Sequence, residues 1–164
     1  MNEKVKDILG YIIVIVIVLL IKQFIVTPIR VNGASMNDTL YDKDIMILDK
    51  ISYNFKDINR FDIVVIKKNG EYLIKRVIGL PGETVEYIDN KLYINGEIVE
   101  ENFKHKVTDD FKLEESIPDN YYFVVGDNRS DSLDSRIIGL IKEDEILGKT
   151  SLVLFPFKRI GIKE

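Results

Sequence analysis

The hydrophobic and polar positions of this chain fall into two regimes that change over within a few residues. From Ile8 to Ile21 no side chain is charged or strongly polar, and after Lys22-Gln23 the apolar character resumes with Phe24-Ile25-Val26. Taken through to Ile29, the stretch matches the ~20 residues a helix needs to cross the hydrocarbon core of a bilayer. Lys22 is placed to snorkel near one end. This predicts a membrane anchor over residues 1–29. A removable signal peptide is the competing reading, with Ile8–Ile21 as its apolar region and Val31-Asn32-Gly33 as its cleavage site. The many β-branched residues, with no polar face, argue against a buried globular helix.

After that segment the period shortens to that of strands. Asp44–Leu48, Phe61–Ile66, Tyr72–Ile78, Tyr121–Val125 and Ser151–Phe155 read as strands, and so does the apolar run Ile137–Ile141. Lys68-Asn69-Gly70-Glu71 joins two of them as a hairpin, and Leu80-Pro81-Gly82 is a turn. Val85–Ile88, Lys91–Ile94 and Glu97–Val99 form a small meander with turns at Asp89-Asn90 and Asn95-Gly96. The stretch Glu100–Glu115 is charged and poor in β-branched residues. The predicted fold is mainly β, with a main domain over 30–84 and 117–164 and a small β insert or cap over 85–116.

Composition narrows the chemistry. The net charge of −4 argues against nucleic acid as a partner. There is no cysteine, so disulfides, thiol catalysis and thiolate metal sites are excluded. The one histidine, His105, rules out a histidine-cluster metal site and is expected to be exposed. Gly148-Lys149-Thr150 lacks the P-loop glycine, since Glu143 stands in its place. Asp127 cannot open a calcium loop with Arg129 at the third position. A hydrolase built from these residues must activate a hydroxyl or water with a carboxylate or a lysine.

Three segments carry such chemistry. Gly126–Arg136 is a dense polar loop between two apolar runs, and rigidly held polar loops are where binding and catalysis concentrate. A solvated turn built on Asp and Asn is its plainer explanation. In Leu73–Ile78 the alternation puts Lys75 on one face and Arg76 on the other, so one of these cations must face the buried side. A desolvated lysine has a lowered pKa and can act as a general base; a lysine snorkelling from an edge strand is the alternative. Ser35-Met36-Asn37-Asp38 offers a nucleophile after the flexible Gly33-Ala34, or a capping box that merely starts a helical turn.

Taken together these segments resemble the type I signal peptidases, membrane-bound serine endopeptidases of the Ser/Lys type. Their nucleophile box appears as Ser35–Leu40 and their central strand box as Phe61–Val65. The lysine box appears as Lys75–Glu83 and the loop box as Gly126–Arg136, followed by Gly139. The boxes stand in family order and spacing, and the short insert is similar to the small Gram-positive type. Asp38 occupies a usual proline position, and Phe61 a usual glycine.

The resemblance implies the all-β catalytic fold shared by signal peptidases and self-cleaving repressors. It implies Ser35 as nucleophile, Lys75 as base, and Ser132 hydrogen-bonded to Lys75. Asp134, Arg136, Asp127 and Arg129 become an ion-pair scaffold. Backbone N–H groups of Ser35 and Gly33 become the oxyanion donors, because a glycine stands where some members have a serine. Ile74 becomes a wall of the substrate pocket. No cofactor and no metal are implied. The partners are signal-peptide-bearing preproteins and membrane phospholipid. The implied location is the cytoplasmic membrane, single-pass, with the N-terminus inside and the catalytic domain on the outer face. A soluble self-cleaving protease and an inactive tethered β domain are the other classes; the first does not account for the anchor, and the second would lack Ser35 or Lys75.

Overall fold

A computed structural model describes residues 3–163. Helix α1, Glu3–Phe24, is followed after Ile25 by strand β1, Val26–Arg30. The apolar stretch expected to run as one span to Ile29 is therefore divided, and its last residues belong to the sheet. The reason is visible at Pro28, which has no N–H to give to a ladder. β1 is the edge strand, pairing only with β2, Ile45–Asp49, and edge positions tolerate proline. Among the described residues no helix is long and apolar enough to cross a membrane.

The hairpin expected at Asn69-Gly70 forms between β3, Ile63–Lys68, and β4, Glu71–Gly79. Both turn residues have positive φ, 52° and 86°, the conformation that two-residue hairpin loops favour and Asn-Gly adopts most easily. The meander then runs as β5, Val85–Ile88, β6, Lys91–Ile94, and β7, Glu97–Val99. It gains a short fourth strand, β8, Phe111–Lys112, from the charged stretch that showed no strand pattern.

The chain returns through β9, Tyr121–Val125, and the polar loop to α2, Ser135–Ile138. It continues with β10, Ile141–Lys142, β11, Ile146–Phe155, and β12, Gly161–Ile162. The run Ile137–Ile141 is thus not the expected strand. Asp134 caps the α2 turn by accepting from the Arg136 N–H, which bends the chain before only two residues reach the sheet edge.

The main sheet has the order β1-β2-β11-β3-β4-β9-β10, with β12 on β11, and all its pairings are antiparallel. The second sheet has the order β7-β6-β5-β8. Its inner residues Val85, Tyr87, Leu92 and Ile94 pack with Ile78, Phe123 and Val125 of the main sheet. The neighbouring residues Val77, Tyr122 and Val124 pack on the other side with Ile58, Val64, Ile66 and Ile141. Central strands β4 and β9 are therefore covered on both faces. The cations in the middle of β4 are both buried, Lys75 at 2% exposure and Arg76 at 0%. The alternation alone had required only one of them inside.

Candidate active site

Ser35 lies in the crossover between β1 and β2, where Met36 and Leu40 anchor the chain in a core of Val31, Met46, Ile63 and Val153. Asn37 N–H donates to Ala34 O and Leu40 N–H to Met36 O, closing two tight turns around the serine. The Ser35 hydroxyl caps no helix. It accepts a hydrogen bond from Lys75 Nζ at 2.8 Å. The strand and the crossover, forty residues apart in sequence, thus bring a hydroxyl and an amine into contact.

Burial removes water from the Lys75 ammonium and pushes its pKa down from 10.5 to about 8, although Asp134 and Asp127 pull the other way. Neither carboxylate is spent on Lys75. Asp127 takes Arg76 in a two-pronged ion pair, Nε–Oδ1 2.9 Å and Nη2–Oδ2 2.7 Å, with both side chains fully buried. Thr39 Oγ1 donates to the same Oδ2 at 2.5 Å. Asp134 pairs with Arg136 at 2.8 Å and accepts from Gly126 N–H at 3.0 Å. Burial alone would raise its pKa, but these donors hold it below the ordinary value.

The polar loop grips the nucleophile turn directly. Asn128 N–H donates to Ser35 O at 3.0 Å, and Asn128 Nδ2 donates to Ala34 O at 3.1 Å. A Cβ built on Gly126 would lie 2.4 Å from Ser35 O and 2.3 Å from Ser132 Oγ, so only glycine fits between them. Ser132 Oγ is buried beside Asp134, whose carboxyl it helps to hold low, and its expected bond to Lys75 is not formed.

Three other expectations meet different geometry. Gly33 N–H is taken by Asp42 Oδ1 at 3.0 Å and is not a free oxyanion donor; among the described residues Ser35 N–H makes no such bond. Arg129, expected in the ion-pair scaffold, takes its carboxylate from Glu101 of the insert, Nη1–Oε2 at 3.4 Å and Nη2–Oε1 at 2.5 Å. His105 is largely covered rather than exposed, its side chain 13% accessible, with Nε2 3.6 Å from Glu101 and its ring 5.6 Å from that of Phe103.

The two departures from the resembled boxes also have structural settings. Asp38 follows a cis peptide bond, and its carboxylate pairs with Lys106 at 3.3 Å. Phe61 has φ +72°, a region where glycine is at ease and a bulky residue is not. Its ring compensates by packing edge-on to Phe103 at 5.3 Å.

Ser35 and Lys75 open onto a mainly apolar cleft of ≈ 480 Å³, walled by Ile29, Val31, Met36, Ile74 and Leu147. Ile74 therefore stands where a pocket wall was expected. A larger cleft of ≈ 650 Å³, lined by Tyr53, Asp57, Tyr122 and Glu143 among others, contains neither residue of the pair. The smaller cleft is the better candidate, because a mostly apolar wall with a few convergent polar groups is what binding sites present. Among the described residues no acidic or histidine cluster could hold a metal ion.

Residues 5–155 match the family described as signal peptidase, peptidase S26. Signal peptidase I V of Bacillus subtilis (strain 168) is 42% identical over 158 positions, 87% of this chain and 94% of its own. Signal peptidase IB of Staphylococcus aureus (strain N315) is 39% identical over 176 positions, 95% of this chain and 92% of its own. A crystal structure of a signal peptidase I from Enterococcus faecalis V583 aligns with TM-score 0.52 at 42% identity, covering 57% of this chain and 97% of that one.

Proposed function

Because the chain belongs to the signal peptidase family, peptidase S26, we propose that Ser35 and Lys75 are the catalytic pair with which it cuts preproteins. It is a type I signal peptidase, a serine endopeptidase that removes signal peptides. The observation that carries the assignment is the 2.8 Å bond from a buried amine to a cleft-facing hydroxyl. Ser35 Oγ attacks the scissile carbonyl while neutral Lys75 takes its proton, later delivering it to the leaving amine. The tetrahedral oxyanion is met by the uncommitted Ser35 N–H, with Gly33 held in place by Asp42. Ser132, buried beside Asp134, turns toward Lys75 when the ammonium forms. Asp127, Asp134, Arg136 and Arg129 hold the loop that carries it. Ile74 and its apolar neighbours receive small side chains of an extended substrate.

The location follows from α1. Its described large side chains from Ile8 to Leu20 are all about half exposed or more, an apolar surface with nothing of the protein packed on it. The reading is a single membrane anchor completed by residues 21–24, whose side chains lie outside the described ones. The N-terminus is then inside and the catalytic domain on the outer face, close to the phospholipid surface where a membrane-inserted signal peptide is presented. No cofactor, metal or nucleic acid enters the reaction.

The test is to incubate the detergent-solubilised full chain with a preprotein and sequence the new N-terminus. Wild type releases the mature protein, while Ser35→Ala and Lys75→Ala lose roughly 10⁴-fold or more in kcat, since members of such a unit act together. Substantial turnover by either variant would overturn the pair.

A further inference from the structure

Residues 101–108, between β7 and β8, cross the back of the catalytic loop as a strap. Phe103 lies under the Arg76 guanidinium at 3.8 Å from the ring centroid and against Phe61. Lys106 N–H donates to Asp127 O at 2.9 Å, and its amine reaches Asp38. Arg129, fully buried, is where strap and loop meet. It donates to Thr108 Oγ1 at 2.6 Å, to Tyr87 OH at 3.1 Å and, through Nε, to Gly126 O at 3.1 Å, and it pairs with Glu101. Gly126 is the residue wedged between Ser35 O and Ser132 Oγ. A continuous chain of contacts therefore runs from Glu101 through Arg129 and Gly126 to the nucleophile.

We propose that Glu101 is a positioning residue for the Ser35–Lys75 pair, acting through Arg129 and the Gly126 carbonyl. The inference rests on the assignment of that pair. A guanidinium buried at 0% exposure is costly without a countercharge, and Glu101 is the carboxylate that meets it. The insert thus acts as the back wall of the active site, and its charge sets where the loop sits behind the serine. Glu101 is not among the residues that line the cleft, so its effect falls on turnover rather than on substrate binding.

The experiment uses the detergent-solubilised full chain and a short peptide whose recognition segment ends in Ala-x-Ala, with wild type, Ser35→Ala, Glu101→Gln, Glu101→Asp and Thr108→Val compared. A small misplacement at a reacting centre can cost up to about 10²-fold, so Glu101→Gln is expected to lose roughly ten- to a hundredfold in kcat with KM within about twofold. Glu101→Asp, which keeps the charge, recovers part of the loss. Thr108→Val, which removes a second anchor of Arg129 at nearly constant shape, shows a smaller loss in kcat. Thermal melts of each variant separate turnover from unfolding. If Glu101→Gln fails to fold, Thr108→Val decides, and wild-type kcat there overturns the proposal. It is also overturned if Glu101→Gln turns over at the wild-type rate, if the loss lies in KM alone, or if Glu101→Asp is no better than the amide. Cleavage by Ser35→Ala would instead strike the catalytic pair itself, so the two failures are distinguishable.

Discussion

Lys75 and Arg76 are consecutive on β4 and equally cut off from solvent, yet only Arg76 meets a carboxylate. Asp127 is bound by Arg76 on both oxygens, which withholds it from Lys75. Among the described residues the lysine is left with a hydroxyl partner and no ion pair. One strand therefore binds one cation in an ion pair and lets its neighbour lose its proton.

That difference predicts the pH dependence. Only the neutral amine can take the serine proton, and burial lowers the Lys75 pKa to about 8. On the acid side kcat/KM is expected to rise about tenfold per pH unit and to level off above that value. A pH–rate curve on the short peptide checks it. An acid limb near the ~10.4 of an ordinary lysine would contradict a desolvated base.

The same burial costs stability. Lys75 has a folded pKa of about 8 against 10.5 when unfolded, so between these values the unfolded chain binds more protons. Stability therefore rises as pH increases from 8 to 10.5, and below 8 the penalty is present in full. The shift corresponds to roughly 3 kcal/mol, of which a replacement recovers only part, because the Ser35 hydrogen bond is lost. Lys75→Met is expected to be inactive yet about 1–2 kcal/mol more stable than wild type at pH 7, with the advantage shrinking as pH rises from 8 to 10.5. Denaturant unfolding of both proteins across that range measures it.

Asp127→Ala should behave in the opposite way. It leaves the Arg76 guanidinium buried without its partner, and breaking one side of such a pair costs about 3–5 kcal/mol. Thr39 Oγ1 loses its acceptor as well. The expected result is a marked drop in the denaturation midpoint at pH 7; a change under about 1 kcal/mol would mean that the pair is not buried as described.

Gly126→Ala tests the fit of the loop against the nucleophile turn. The new methyl has nowhere to go, because its neighbours include the backbone oxygen of Ser35. Overpacking of this kind costs about 1–3 kcal/mol, and the displaced serine loses roughly 10²-fold in turnover. Ser132→Ala, which removes one crowding atom, should be milder on both counts. Steady-state kinetics beside thermal melts separate the two effects. Wild-type kcat in Gly126→Ala would show that the loop and the turn move independently.

Much of this was legible along the chain because the signals were local. Asn69-Gly70 announces its hairpin by backbone preference alone, and Val85–Val99 shows its meander by alternation. Ser35 and Lys75 were found through the boxes around them, not through their spacing, since no local pattern reveals a contact across forty residues. The strand at Val26–Arg30 was hidden because β-branched residues suit a strand and an apolar span equally well. That both cations are buried, and not one alone, was not legible, because alternation describes one strand, whereas burial on both faces depends on a second sheet folding back. Glu101 gave no signal at all: a glutamate in a charged stretch looks solvated until a buried arginine is seen to face it. Asn128, inside the quoted loop box, was within reach, but its double hold on Ala34 and Ser35 needed the turn's geometry to appear.

Only Ile25 separates the last residue of α1 from β1, and Thr27, Ile29 and Arg30 of that strand are themselves walls of the cleft. With α1 in a bilayer as proposed, the edge of the cutting groove is soldered to the anchor, with no slack between them. The enzyme then works as a fixed-height gauge. The depth at which a substrate leaves the lipid, and not only the small residues beside its scissile bond, decides which peptide bond comes level with Ser35. Lengthening the join at Ile25 would reset the gauge, while the blade itself stayed the same.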